Sequence, residues 1–207
     1  KEGVKVLTNI NLLRVKKSGD KKVIVYNSSK NKKDKKIFSE EIFLAVGRTP
    51  NSECLCLENA GIELGCRTEI FVNDDLSTSN PNVYAVGDVN GKGMFAHSAK
   101  REGLIALENA LEGNNKKMNF DLVPWTVFTD PPISGIGMNE ECAKKCMKNV
   151  AVMKANYNQV GRSTINNDKR GFLKVVYNKI TKKIIGVEMI GAESDTMIHE
   201  FVAVMNS

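Results

Sequence analysis

The stretch Thr78-Ser79-Asn80-Pro81-Asn82-Val83-Tyr84-Ala85-Val86-Gly87-Asp88 decides how the chain is read. Asn80-Pro81-Asn82 is turn chemistry, and the proline keeps Asn80 out of helical dihedrals. Val83 to Val86 is an apolar run short enough for a buried strand. Gly87 admits a close-approaching backbone or ligand. Asp88 then follows the carboxyl end of that strand, where open α/β sheets bind ligands. Taken alone, these features also describe a strand, a turn and a solvated aspartate.

Three further stretches remove that ambiguity. Ile42-Phe43-Leu44-Ala45-Val46 is a continuous apolar run, as in a strand buried on both faces, and it ends in Gly47-Arg48-Thr49-Pro50-Asn51. Met94-Phe95-Ala96-His97 opens a helix whose small and apolar faces are Ala96, Ala99, Ile105, Ala106, Ala110 and Leu111, and which Gly113-Asn114-Asn115 stops. Trp125-Thr126-Val127-Phe128-Thr129-Asp130-Pro131-Pro132 follows a domain start at Asp121-Leu122-Val123-Pro124. Together with Thr78, Tyr84, Ala85, Gly87 and Asp88, these segments resemble the C-terminal portion of the FAD-dependent pyridine nucleotide-disulfide oxidoreductases. That family includes dihydrolipoamide dehydrogenase, glutathione reductase and mercuric reductase.

The resemblance implies a role for each matched position. Asp88, after Gly87, accepts a hydrogen bond from a ribityl hydroxyl of FAD, and a charged acceptor makes such a bond strong. Gly47 lies against bound NAD(P). Met94, Phe95, Ala96 and His97 contact the isoalloxazine ring, with the helix N-terminus facing the negative charge of reduced flavin. His97 also reads as a solvent-facing residue at a helix start and is not expected to be a catalytic base. The family's redox cysteine pair, its two N-terminal nucleotide fingerprints and its general-base histidine have no counterpart in these residues. The expectation is a C-terminal piece of a larger enzyme, cut at both ends, with no catalytic residue and no metal site of its own.

Bulk properties fit that reading. The chain has 207 residues, 42% of them hydrophobic, and a net charge of +6. No apolar run reaches membrane-spanning length, and Lys1-Glu2-Gly3 is neither a signal peptide nor a natural start. Much of the charge lies in Lys30-Asn31-Lys32-Lys33-Asp34-Lys35-Lys36, read as a solvated hairpin tip because no aromatics are interleaved for base stacking. The odd cysteine count of 5, without a secretory leader, argues for reduced thiols in the cytoplasm. Cys142 and Cys146 stand at i, i+4 on a helix, with no further ligand near them in sequence. Cys54-x-Cys56 lacks the spacing of the family's redox pair.

The remaining elements follow from local pattern. Val4–Thr8 is expected as a strand, and 12–16, 22–27 and 36–38 as an antiparallel meander with turns at Ser18-Gly19-Asp20 and in the lysine-rich loop. Residues 51–60 form a helix or turn stopped at Asn59-Ala60-Gly61, and 62–64 and 70–72 form short strands. Residues 89–93 read as a flexible loop. Beyond 133–137 come a helix capped at Asn139, a strand at 150–155, a loop at 162–167 and a hairpin of 171–177 with 184–190. A last helix, Ser194–Asn206, has Ser194 as N-cap and an apolar stripe of Met197, Ile198, Phe201, Val202 and Met205, read as core. Gly135-x-Gly137 is not a dinucleotide fingerprint. His199 and Glu200 read as polar-face residues.

The resemblance implies a fold class of α/β and α+β: the end of a Rossmann-like NAD(P)-binding domain (1–48), part of the FAD-binding domain (49–118) and an α+β interface, or dimerisation, domain (119–207). The implied activity passes electrons between NAD(P)H, FAD and a disulfide-type substrate, small or protein-bound, in a cytoplasmic homodimer joined through 119–207. No nucleic-acid or membrane partner is expected, and the isolated chain is expected to be inactive. The alternatives are a dimerisation and cofactor-supporting module without redox turnover, a mercuric or glutathione reductase-like member, and a basic nucleic-acid-binding piece. The choice of NAD or NADP and the substrate stay open.

Overall fold

The computed structural model describes residues 3–207, and the chain divides between Arg48 and Thr49 into two compact units. Each is taken by itself.

The first unit is an antiparallel meander of β1 (Ile10–Ser18), β2 (Lys21–Ser28) and β3 (Asn31–Ser39), in the order β1-β2-β3. Gly19, at φ 60, makes the first turn. On central β2, Val23 and Val25 are fully buried. The lysine-rich segment is not the second turn. It forms most of β3, with Lys35 opposite Tyr26 and Lys36 opposite Val25, and the chain reverses at Ser29-Lys30 instead. Lysines suit an exposed edge strand because the backbone pairs while the ammonium groups stay in water and discourage edge-to-edge association.

Two other strands expected here do not form. Residues 4–8 have no regular structure, and neither do 42–46, where Phe43, Leu44 and Val46 are 92%, 71% and 83% exposed. A strand buried on both faces needs flanking strands and covering layers. Among the described residues none pairs with this run.

The N-terminal part of the second unit is mostly irregular. Its core is Ile62, Ile70, Val72, Leu76, Ala85, Ala106 and Met118. The expected strands at 62–64, 70–72 and 83–86 reduce to single bridges, Leu64 with Ile70 and Ser77 with Tyr84. Val83–Val86 is thus a short extended ribbon rather than a strand of a parallel sheet. It is held by Thr78 N–H to Val83 O (2.9 Å) and Ala85 N–H to Leu76 O (3.2 Å). A 3-10 turn at Leu57–Ala60 closes with Gly61 in the left-handed region. Helix α1 spans Ala96–Glu112 and ends at Gly113, φ 66.

The C-terminal part is an antiparallel sheet in the order β4-β5-β8-β7-β6, built from β4 (Trp125–Val127), β5 (Ile133–Gly137), β6 (Val150–Asn156), β7 (Phe172–Asn178) and β8 (Ile184–Ile190). Helix α2 (Glu140–Cys146) starts with the Asn139 side chain accepting from the Cys142 N–H. Its two cysteines are exposed and free. Residues 161–165 form a short helix, α3 (Gly161–Ile165), rather than a loop, anchored by buried Ser163. Helix α4 (Ser194–Met205) packs on β5 and β8, where Ile198 meets Ile136, Val187 and Met189. Gly135 lies opposite Trp125, and a β-carbon there would stand 2.5 Å from the indole ring. The glycines of β5 serve packing.

Ser194 is not the N-cap. Glu193 holds that position at φ 58, and the Ser194 hydroxyl donates to Pro132 O at 2.9 Å. Burial explains the difference: a fully buried hydroxyl that reaches a carbonyl on the facing segment satisfies both groups.

Candidate functional site

The polar turn before the ribbon is built by its own side chains. Thr78 Oγ1 accepts from the Asn80 N–H at 3.1 Å, and Asn80 Oδ1 accepts from the Asn82 N–H at 3.1 Å. The Asn80 amide also donates to Ala60 O at 2.9 Å, tying the turn to the preceding segment. The ribbon then runs through buried Ala85 into a 3-10 turn, Gly87–Asn90. Gly87 has φ 75, a conformation glycine adopts without strain. A β-carbon on it would lie 3.1 Å from Ala99 Cβ, so the turn packs directly on the first turns of α1. Asp88 remains exposed at the head of this turn. Segment 89–93 is held rather than loose: Val89 O accepts from the Ile70 N–H at 3.0 Å, and Asn90 is buried.

Helix α1 begins beside it. Phe95 is extended at the N-cap and supplies no side-chain cap to the first-turn N–H groups. Those groups carry the positive end of the helix dipole. Met94, just before, adopts φ 48, a costly conformation for a residue with a β-carbon and one that concentrates at functional sites. The His97 ring stacks on Phe95 (centroids 5.5 Å, 22° between planes), and its Nε2 is 2.7 Å from Pro124 O. That bond requires the proton on Nε2, which makes His97 a tie between α1 and the start of the sheet segment. Phe95, Ala96 and His97 line an open cleft of about 490 Å³ with Trp125, Phe128 and His199.

The structure thus gathers Gly87, Asp88, Met94, Phe95, Ala96 and His97 at one end of α1. Gly47 belongs to the other unit; it is exposed at φ 120, with open space where a β-carbon would point. One residue packed beneath this turn escaped sequence reasoning. Glu102 is fully buried beneath the turn, where Oε2 accepts from the Gly87 N–H (2.8 Å) and Asn90 Nδ2 (2.7 Å), and Oε1 from the Ser98 hydroxyl (2.6 Å). The available signal was a serine and a glutamate at i, i+4 facing the same way as Ala106.

Comparison with known proteins gives the family of the chain. The family profile described as pyridine nucleotide-disulphide oxidoreductase matches residues 1–103, and that family's dimerisation domain matches 123–207. The chain belongs to the pyridine nucleotide-disulphide oxidoreductases. Among its relatives is a dihydrolipoyl dehydrogenase from Thermus scotoductus, 37% identical over 97% of this chain and 43% of the relative. A mercuric reductase from Lysinibacillus sphaericus is 34% identical over 96% of this chain and 36% of the relative. The crystal structure of LpdA from Mycobacterium tuberculosis superposes with a TM-score of 0.85 at 22% identity, over 99% of this chain and 44% of that one, and so shares the fold. The chain spans less than half the length of the curated relatives it matches.

The residues present fit the flavin that such a family implies. An exposed carboxylate is an acceptor for a ligand hydroxyl, and an uncapped helix start offers N–H groups to an electron-rich ring edge. Of the other ionisable groups in this unit, Asp75 is held below the usual carboxylate range, first by the Ser77 hydroxyl. Burial pushes the Tyr157 phenol up, with Glu193 adding to it. Neither group lies in the Asp88 turn. Among the described residues no helix is long and apolar enough to cross a membrane.

Proposed function

We propose that the full-length protein is an FAD-dependent oxidoreductase of the dihydrolipoyl dehydrogenase type, passing electrons between NAD(P)H, FAD and a disulfide substrate. The observation that carries this reading is the rigid Gly87–Asn90 turn, which presents exposed Asp88 beside the uncapped start of α1. FAD, when bound, supplies the two-electron chemistry. The chain's own residues bind and orient. Asp88 accepts from a ribityl hydroxyl, Met94, Phe95, Ala96 and His97 line the ring side, and the α1 N–H groups favour negative charge there. Gly47 lies against the nicotinamide nucleotide.

In this reading residues 1–48 close the nucleotide domain, 49–118 belong to the flavin domain, and 119–207 join two copies of a cytoplasmic protein. The match of 123–207 to the dimerisation domain supports the last point, as does exposed apolar surface at Phe128, Ile165 and Met197. The mercuric reductase relatives favour a second reading, in which the same flavin site serves a mercuric substrate.

Asp88→Ala in the full-length protein tests the assignment. Losing a hydrogen bond to a charged group costs about 1.5–3 kcal/mol, roughly tenfold or more in affinity. Flavin is expected to leave on dialysis, and occupancy equal to the parent's would refute the site.

A further inference from the structure

We infer that Glu102 is a positioning residue: its buried carboxylate sets the Gly87–Asn90 turn and, through it, how tightly Asp88 holds flavin. The inference rests on the flavin reading of Asp88.

Glu102 has no exposed surface. A carboxylate is expensive to bury, and α1 gains nothing from one here that an apolar side chain of similar size would not provide. What the carboxylate does is receive donors. Two of its three partners are on the residues bracketing Asp88: the Gly87 N–H and the Asn90 carboxamide. The third, Ser98, lies one turn earlier on α1. Asn90 is itself doubly engaged, donating to Ala85 O at 3.4 Å and accepting the Lys92 N–H at 3.0 Å. One carboxylate therefore grips the turn at its first and last residues and ties both to the helix whose N-terminus shares the site.

The chain also closes over this network. A β-carbon on Gly93 would lie 2.3 Å from Ser98 Oγ and 3.2 Å from Glu102 Oε1. A side chain there would collide with Ser98, the hydroxyl that donates to Glu102. In such a dry site each hydrogen bond is directional and strong, and an unmatched donor is costly. The Gly87 N–H opens the 3-10 turn and has no partner within it, so the side-chain acceptor settles which way that peptide faces. Asp88 carries no freedom of its own at its backbone: the residue before it and the residue two after it are both fixed to Glu102.

The test compares Glu102→Met, Glu102→Gln and Asp88→Ala in the full-length flavoprotein, measuring flavin dissociation and the visible absorption envelope beside the melting temperature of each apoprotein. Glu102→Met removes the acceptor and leaves the Gly87 and Asn90 donors unmatched. It is expected to weaken flavin binding roughly tenfold. Glu102→Gln keeps a carbonyl for both donors while the Ser98 hydroxyl turns to accept, and is expected to recover most of that loss. Because Glu102 acts through Asp88, Asp88→Ala with Glu102→Met should bind flavin no more weakly than Asp88→Ala alone.

A Glu102→Met protein that melts lower yet binds flavin as the parent does would overturn the positioning role. Additive losses in the double variant would overturn it too. If Glu102→Met does not fold, Asn90→Ala carries the test, since it breaks one end of the grip and leaves the carboxylate two donors. Undiminished flavin affinity there overturns the proposal. Undiminished affinity in Asp88→Ala would instead refute the flavin reading beneath it.

Discussion

Helices α1 and α4 lie in the same unit and bury opposite kinds of surface. The buried face of α1 is Ser98, Glu102, Ala106 and Asn109, while Leu104, Leu107 and Leu111 are 55%, 53% and 76% exposed. The buried face of α4 is centred on Ile198, with Phe201, Val202 and Met205 packed on the sheet. Apolar burial is strong and non-directional; it fastens a helix to a sheet without dictating the position of any one peptide group. Hydrogen bonds are weaker in net terms but directional, and they fix particular backbone atoms. The region proposed to hold a cofactor is the one wired by polar contacts, and the region matching a dimerisation domain is packed by oil. Precision and adhesion are supplied by different chemistry in one chain.

The largest effect expected from breaking this contrast is at Ile198. Ile198→Ala empties a position 1% exposed and should cost about 2–5 kcal/mol of stability. Chemical denaturation monitored at Trp125 would measure it, and a cost below about 1 kcal/mol would mean that α4 is not held by apolar packing. Asn109→Ala sharpens the other side. The Asn109 amide donates to Asp75 O (3.0 Å) and Lys116 O (2.9 Å), and its oxygen accepts the Lys116 N–H (2.9 Å). Its loss should cost about 1–3 kcal/mol and speed amide exchange at Lys116, with little effect near Ile198. Equal loosening around both helices would merge the two regions into one cooperative core.

The smallest expected effect concerns pH. Arg170 beside Asp168 holds that carboxyl at about 2, against an ordinary value of 3.8, and also reaches Asp130. A depressed carboxyl pKa contributes stability above the unfolded value and loses it as pH falls through the folded one. The Asp168–Arg170 pair just before β7 should therefore weaken only below about pH 4, be half protonated near pH 2 and be lost below that. A carboxyl NMR titration of Asp168 would follow it, and a midpoint close to 3.8 would remove the interaction.

Much of this architecture can be read from neighbouring residues. The meander strands, the glycine stops at Gly61 and Gly113, the Asn139 cap and the paired strands around Asn178 all follow from spacing and turn chemistry. The Thr78 to Asp88 stretch located the candidate site because its turn is built from side chains within a few residues of one another. Ile42–Val46 was misread as a strand because hydrophobicity reports a preference for burial but not which partners bury it. The lysine-rich run was misread as a turn because charge reports solvation, and an edge strand satisfies that as well as a loop does.

The polar part of the face that α1 buries lay beyond apolar counting. Counting apolar residues favours Ala96, Ala99, Ile105, Ala106, Ala110 and Leu111, and of these Ala106 is buried, yet Ala96, Ala110 and Leu111 stand in solvent and Glu102 does not. Turn chemistry, capping and alternation act between residues close in the chain, so the order of the letters is enough to set them. The pairing of Glu102 with the Gly87 N–H joins residues 15 positions apart, and its value depends on water having been excluded around both. A buried carboxylate is favoured only when donors already converge on it, and that convergence exists once the ribbon, the turn and the helix have packed.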